Sequence, residues 1–308
     1  MEIFINIIII IISIVVISKG AILLVDSSVR IAKKLGVSEL IIGLTIVALG
    51  TSAPEFAVTI ISSLRGMSDI SVGNIVGSNI FNLGFILGGT AIVRDLSTNK
   101  IVVFRDGGFL LAGSILLTFF LWDLTLSHTE GAVLFTLLFV YLGYLYWSKE
   151  PVEHTEEVHK YNWYDPLLLV LSLVMVVGSS HFLVESASLI AKIMGISDWV
   201  IGATIVAAGT SAPELATSIA AALRGHYGIS VGNLIGSDIF NMYGVLGVAS
   251  IMRDLPVDIG ARANLIMLVI MILIAFIFMR TGWKISRREG ILLVLLGLSR
   301  WIYSFMMI

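Results

Sequence analysis

The chain contains no cysteine. Disulfides, thiolate metal sites and cysteine nucleophiles are therefore excluded, and the redox compartment leaves no trace in the sequence. Charge is also scarce. Asp, Glu, Lys and Arg supply 13% of 308 residues and nearly cancel to a net −2, so the bulk electrostatics point neither to nucleic acid nor to a strongly anionic partner. Only five prolines occur, and two of them, Pro54 and Pro213, interrupt apolar stretches where a helix would otherwise run on. The N-terminus, Met1-Glu2-Ile3, shows no basic leader or small-residue cleavage pattern, so the apolar run behind it is expected to be a retained first span.

What is abundant is hydrocarbon. The chain is 57% hydrophobic with a mean hydropathy of +1.01, the composition of a polytopic membrane protein. A bilayer core takes roughly 20 apolar residues per helix. Ten stretches fit, near 3–24, 37–63, 70–93, 104–122, 131–148, 164–188, 196–222, 229–252, 261–280 and 287–307. The expected fold class is an all-α integral membrane protein of ten transmembrane helices, seated in the cell membrane with the lipid bilayer around it; no protein partner is inferred. The one clearly hydrophilic connection, Ser148 to Lys160 with Pro151 inside it, marks a cytoplasmic linker at 149–163 between residues 1–148 and 164–308.

Those two parts repeat. A shift of 159 residues lays Val25–Leu96 on Val184–Leu255 without a gap, with about 40 of 72 positions identical, far above what shared hydrophobicity gives. Five spans separate equivalent positions. Five is odd, so the second copy enters the membrane from the opposite side, and two inverted five-helix repeats are expected. Inverted repeats with Gly/Pro-interrupted helices at matching positions are the pattern of secondary transporters, whose site lies near the midplane between repeats. Basic residues set the orientation. With the N-terminus outside, the inner connections hold Arg30, Lys33, Lys34, Arg94, Lys100, Arg105, Arg224, Lys284, Arg287 and others, whereas the outer ones hold only Arg65, Lys192, Arg253 and Arg262. Both termini are expected to be extracellular.

The polar residues inside the spans repeat with the rest. Gly50-Thr-Ser-Ala-Pro-Glu55 returns as Gly209-Thr-Ser-Ala-Pro-Glu214. A carboxylate at mid-membrane is expensive and marks an ion or proton site by default. Each proline withholds an N–H from the carbonyl four residues back, at Gly50 and Gly209, and kinks or unwinds the helix there. Thr51, Ser52, Thr210 and Ser211 add hydroxyls, and Glu55 and Glu214 add the charge. A hard cation such as Ca²⁺ takes six to eight oxygens of these kinds. The following spans carry Ser78 with Asn82 and Ser237 with Asn241, four apart and so on one helix face, beside glycines at 73, 77, 232 and 236 that let helices approach closely.

Structural readings compete with each of these. A membrane Ser or Thr commonly bonds its own backbone, an Asn serves as interhelical glue, and a Glu persists as a protonated structural carboxyl. Asp26 and Glu185 sit near span ends and read as interfacial. His181 is expected to have no histidine or carboxylate partner at ligand spacing, the histidines at 128, 154, 159 and 226 fall in loops, and none is read as a metal ligand. Asp238 stands where the first half has Asn79, and a helix turn places it to the side of the Asn241 face.

Twice over and inverted, Gly-Thr-Ser-Ala-Pro-Glu followed by Gly-Asn-x-x-Gly-Ser-x-Ile-Phe-Asn resembles the α-repeats of the calcium/cation antiporter superfamily, in its sodium/calcium exchanger branch. The resemblance covers essentially the whole chain. It implies ten helices, alternating access, and Ca²⁺ moved against a monovalent cation with no cofactor. It also implies Glu55 and Glu214 as principal Ca²⁺ ligands. Thr51, Ser52, Ser78 and the Ala48 carbonyl would line the site from one half, and Thr210, Ser211, Ser237 and the Ala207 carbonyl from the other, chiefly around Na⁺. Asn82 and Asn241 match positions that hold Asn or Asp in the superfamily; Asn at 241 argues by analogy against K⁺ co-transport. The first and sixth helices would be the sliding gate. Charge alone tolerates Na⁺ or H⁺ as the counter-ion, because two protons neutralise two glutamates as well as one Ca²⁺ does. A passive cation channel is the alternative from another class. An enzyme is not expected, since Ser52 and Ser211 have no His or Lys base in their motif.

Overall fold

The computed structural model describes residues 2–148, 161–195, 205 and 207–306. The hydrophilic linker and the start of the seventh predicted span lie outside the described residues. Apolar sequence in a bilayer satisfies its backbone only within a helix, and the elements follow from that. They are α1 (Glu2–Leu35), α2 (Glu39–Thr51), α3 (Ala53–Leu64), α4 (Ser68–Val93), α5 (Val102–Asp123), α6 (His128–Trp147), α7 (Asp165–Ile193), α8 (Ala207–Thr210), α9 (Ala212–Leu223), α10 (Tyr227–Met252), α11 (Gly260–Trp283) and α12 (Arg287–Met306). Joining α2 to α3 and α8 to α9 across their breaks gives the ten spans.

The helices form an inner and an outer layer. In α4 and α10 the apolar windows are 72% and 83% buried, whereas those of α1 and α7 are 28% and 22% buried. At 1.5 Å per residue, the 34 residues of α1 reach about 50 Å, well over the roughly 30 Å hydrocarbon thickness, so the helix tilts or extends past the hydrocarbon at its basic end, which carries Lys33 and Lys34. It packs along α7, with Gly20 against Val176 and Met175. In the inner layer α10 crosses α2 at close range. Gly232 and Gly236 lie against Leu40, Leu44 and Ala48, and Gly43 lies against Ile229 and Asn233, as expected for the second-half glycine strip. The counterpart neighbours of Gly73 and Gly77 fall mostly among residues outside the described set.

The inversion is visible in the loops. Two short antiparallel ribbons form, β1 (Leu96–Ser97) with β4 (Lys284–Ile285) and β2 (Thr125–Leu126) with β3 (Leu255–Pro256). The 159-residue shift converts β1 into β3 and β2 into β4. Each ribbon therefore takes one strand from each repeat, and the two are mates at opposite faces. The same shift relates two pairs that join a loop carboxylate to a helix start. Asp95 accepts from the Arg287 N–H and from Lys284 Nζ at 3.0 Å, and Asp254 accepts from the His128 N–H at 2.8 Å. The Lys284 bond holds the Asp95 carboxyl below the usual carboxylate range. One face further carries Arg30–Asp165 and Arg224–Asp26 at 2.8 and 2.9 Å, and the other carries Arg262 over the Trp122 ring. Asp26, expected at an interface, is there.

Candidate functional site: a two-fold carboxylate and hydroxyl cage

The breaks in α2–α3 and α8–α9 set the site. Ser52 and Ser211 leave the helix at φ, ψ of −78°, 9° and −90°, 9°, and the α2–α3 axis bends by 50°. Pro54 and Pro213 then sit in the first turn of the following helix, where a missing N–H does no harm. The kink is thus a hinge at the serine, tighter than an unwound turn. The Ala48 carbonyl, implied as a site oxygen, already accepts from the Ser52 N–H at 3.0 Å and from Thr51 Oγ1 at 3.3 Å. Ala207 opens the short α8.

Each hinge serine serves the other repeat. Ser52 Oγ donates to Glu214 Oε1 at 3.2 Å, and Ser211 Oγ donates to Glu55 Oε1 at 3.0 Å. Thr210 also approaches Glu55, and Thr51 and Ser237 approach Glu214; Thr51 and Ser237 hydroxyls are 3.5 Å apart. Behind the glutamates, Asn74 Nδ2 holds the Glu55 carbonyl and Thr59 Oγ1, and Asn233 Nδ2 holds the Glu214 carbonyl and Ser218 Oγ. Both glutamates are 1% exposed. Their two charges repel at this range, and no basic side chain among the described residues pairs with either.

The asparagines form a second layer. Asn82 Nδ2 donates to Asp238 Oδ1 at 2.9 Å, and Asn241 Nδ2 donates to Asn79 Oδ1 at 3.1 Å; Asn79 Nδ2 reaches the Asp238 carbonyl at 3.1 Å. These bonds are two-fold mates. Asn82 opens a π-helical turn at Asn82–Leu87, and Asn241 lies in its counterpart at Phe240–Val245. Such wide turns recur at functional sites. Tyr243, stacked on Phe109 at 4.4 Å and donating to the Phe109 carbonyl, pins the second. Ser78 is buried one turn before Asn82.

Of the residues expected from sequence, Glu55, Glu214, Thr51, Ser52, Thr210, Ser211 and Ser237 lie together here, Asn82 and Asn241 form the layer beside them, and Ser78 is placed by its burial alone. Sequence reasoning missed two contributors. Asn233, seen only as a landmark, accepts from Thr51 at 3.0 Å, and Asp238, set aside from the Asn241 face, is bonded directly to Asn82. The 159-residue register held that signal, because Asp238 is the mate of Asn79.

Glu55 Oε2, Glu214 Oε2, Asn82 Oδ1, Asn241 Oδ1 and Asp238 Oδ2 are buried with no hydrogen-bond partner. All five are oxygens. A buried polar atom without a partner is costly, and a set made only of acceptors calls for a cation or a donor. No three carboxylate, imidazole or thiol groups among the described residues converge into a metal cluster, so a cation here would complete its shell from hydroxyls, amides and carbonyls. A groove of about 840 Å³ leads from Arg65 and Glu185 at one face, between α3 and α7, to Gly209 and Thr210. At the other face a counterpart groove of about 860 Å³ between α1 and α9 runs from Arg224 to Gly209, and there the mates of that pair, Arg224 and Asp26, are bonded.

Comparison with known proteins agrees with this architecture. The profile of the family described as "Sodium/calcium exchanger protein" matches residues 5–147 and 164–298. The putative antiporter CaxA of Alkalimonas amylolytica is 37% identical over 90% of this chain and 93% of its own. The sodium/calcium exchanger MaX1 of Methanosarcina acetivorans is 34% identical over 94% and 95%. Among solved structures, the sodium-calcium exchanger NCX_Mj soaked with 2.5 mM Na⁺ and 0.1 mM Sr²⁺ superposes with a TM-score of 0.86 at 33% identity, covering 96% of this chain and 97% of that one. By profile, full-length relatives and fold, the chain belongs to the sodium/calcium exchanger family.

Proposed function

We propose that the protein exchanges Ca²⁺ for Na⁺ by alternating access, with both ions competing for Glu55 and Glu214. The reciprocal Ser52–Glu214 and Ser211–Glu55 bonds carry this reading. They hold two carboxylates together with a free oxygen each and no base between them, an arrangement unstable when empty and neutral with one divalent ion. Thr51, Ser52, Thr210, Ser211, Ser78 and Ser237 supply hydroxyl oxygens, the Ala48 and Ala207 carbonyls and the Asn82 and Asn241 amides complete the shell, and the hydroxyl-rich lining favours Na⁺ over H⁺ as counter-ion. The relatives MaX1 and NCX_Mj, both described as sodium/calcium exchangers, agree with that choice.

Coupling follows from competition. An unfilled pair of buried charges opposes the sliding of α1 and α7 across the inner layer, because carrying uncompensated charge through a low-dielectric interior costs several kcal/mol per ion, on the order given for buried ions. The site residues are closed off at both faces, Thr210 being the most exposed of those measured at 8%, which favours a carrier over an open pore. We place both termini outside, on the face poor in Lys and Arg, and take 1–148 and 164–308 as the moving halves joined at 149–163. The test is ⁴⁵Ca²⁺ uptake into proteoliposomes under an outward Na⁺ gradient, compared with a pH gradient at equal Na⁺. Uptake driven by Na⁺ is expected; uptake driven by the pH gradient alone would assign H⁺ as counter-ion and overturn the choice of Na⁺.

A further inference from the structure

The groove between α3 and α7 carries side chains that the cage does not use. Its wall holds His181 and Glu185 on α7, with Arg65 at the end of α3 as the other charged group. His181 Nε2 faces Glu185 Oε2 at 4.0 Å across one helical turn, and the two side chains are 77% and 59% exposed. The sequence expectation that His181 has no carboxylate at ligand spacing is overturned by this pair. Ser188, three residues beyond Glu185, falls on the same helix face. It too lines the groove, and its buried hydroxyl has no hydrogen-bond partner. Ionisable side chains at membrane depth face protein or a water-filled path, and here they face the path that ends at Thr210.

Two other histidines among the described residues meet a carboxylate, and both contacts are already closed. His226 Nδ1 lies 3.0 Å from Glu39 Oε1, and His128 Nδ1 lies 2.7 Å from the Ser250 carbonyl and 3.1 Å from Asp254 Oδ1. His181 and Glu185 stand far enough apart to admit an ion between them. Metal bonds of about 2.0–2.2 Å to an imidazole nitrogen and a carboxylate oxygen set those atoms about 3.4 Å apart in a tetrahedron, so the pair closes on a metal by a shift of about 0.6 Å. Side chains this exposed make that shift within their rotamers. Four residues is also the spacing at which a helix presents two ligands to one metal. An imidazole beside a carboxylate suits Zn²⁺ or Ni²⁺, whereas Ca²⁺ takes oxygen ligands.

We propose that His181 and Glu185 form an inhibitory site for a divalent transition-metal ion inside the groove, short of the cage, with water in the remaining positions and the Ser188 hydroxyl beside them. Binding stands apart from the transport reading; inhibition rests on it. A divalent ion on one carboxylate leaves the wall with net positive charge, and cations bound for Thr210 must pass it. The other face lacks the chelate. The 159-residue shift converts His181, Glu185 and Ser188 into Ile22, Asp26 and Val29. Ile22 lines the counterpart groove, and Asp26 is taken up by Arg224. Inhibition is therefore one-sided, from the face that carries Arg65.

The test pairs calorimetric titration of the detergent-purified full chain with Zn²⁺ and ⁴⁵Ca²⁺ uptake, driven by a Na⁺ gradient, into right-side-out and inverted membrane vesicles with Zn²⁺ added outside. One vesicle orientation is expected to be inhibited at a Zn²⁺ concentration at least about 10-fold lower than the other. In that orientation His181→Gln and Glu185→Gln should each raise the half-inhibiting concentration at least about 10-fold, the loss expected when a chelate gives up one of its two ligands, and each should remove one calorimetric site. His181→Cys, which offers a thiolate in place of the imidazole, should restore both binding and inhibition. Uptake without Zn²⁺ shows that a variant is folded, and for one that fails to transport the calorimetric site count on monodisperse protein decides. Equal inhibition from both faces overturns the proposal. So does inhibition that survives both substitutions and is relieved by raising Ca²⁺, since Zn²⁺ then acts at the glutamates. Loss of the calorimetric site with no wild-type Ca²⁺ uptake in either orientation would uphold the metal site and remove the transport reading instead.

Discussion

The Asp26–Arg224 ion pair is the clearest place to perturb the balance between the two faces. Its bond is 2.9 Å with the side chains 29% and 38% exposed, and around it Val25 and Val29 of α1 pack on Ala221 of α9 and Ile229 of α10. The mates of the pair, Glu185 and Arg65, are not bonded to each other; they line the groove between α3 and α7, and Glu185 instead faces His181 at 4.0 Å. Asp26→Asn removes the charge and keeps the shape. A half-exposed pair contributes about 1 kcal/mol at most after solvent screening, and 1 kcal/mol is about 5-fold in an equilibrium constant. The well-populated state hides such a shift, whereas the rarer state reports it in full. Ala221, fully buried under Val25, becomes accessible only when α1 leaves. Because the chain has no native cysteine, a single Ala221→Cys can be followed with a membrane-impermeant thiol reagent. Its labelling rate should rise about 5-fold on Asp26→Asn and return with the charge swap Asp26→Arg/Arg224→Asp. An unchanged or slower rate would show that the ion pair does not hold this face closed.

Other consequences follow from the site and its supports. Glu55→Gln and Glu214→Gln should each abolish Ca²⁺ flux in proteoliposomes, and full activity in either would remove that residue from the site. A Cβ at Gly236 would stand 2.7 Å from Leu44 Cα and 2.8 Å from Ala48 Cβ, so Gly236→Ala should cost about 1–3 kcal/mol and lower both the melting temperature in detergent and the transport rate; unchanged values would mean the α2–α10 contact yields freely. Asp95 has a folded pKa below its unfolded value, so its bond to Lys284 contributes above about pH 4 and fades as the pH falls through the lowered pKa. The melting-temperature gap between wild type and Asp95→Asn should accordingly close in acid, and a gap that persists to about pH 2 would contradict that assignment.

Much of the fold was legible because it is written twice. The register between Glu55 and Glu214, with an odd number of spans between them, forces an inverted pair, and the paired ribbons and loop carboxylates obey it. The bent helices were legible from Pro54 and Pro213, but not the point of bending. Proline fixes where an N–H is missing, while the turn falls at Ser52 and Ser211, where the chain gains the Ser–Glu exchange between repeats. The partner of Asp238 was not legible for a related reason. Ideal 3.6-residue geometry sets it beside the Asn241 face, but the π turn at Phe240–Val245 and the crossing of α4 with α10 decide what it meets, and neither is encoded in spacing along one helix.

The repeats also differ in what lines the seam between the outer and inner helices at each face. Under the 159-residue shift, the closed contact of Val25, Val29, Ala221 and Ile229 becomes Val184, Ser188, Ser62 and Ile70. Two of the four apolar partners are serines at this second face, and both line the groove there. That seam buries the Ser62 side chain and the Ser188 hydroxyl where the other buries a valine and a methyl. Full burial of a valine side chain is worth about 1.5 kcal/mol or more, and an unpaired buried hydroxyl costs about 1 kcal/mol. The Ser188 hydroxyl is already without a partner. Near-identical cages are therefore joined to seams of unequal composition, and the inequality resides in four side chains remote from the site.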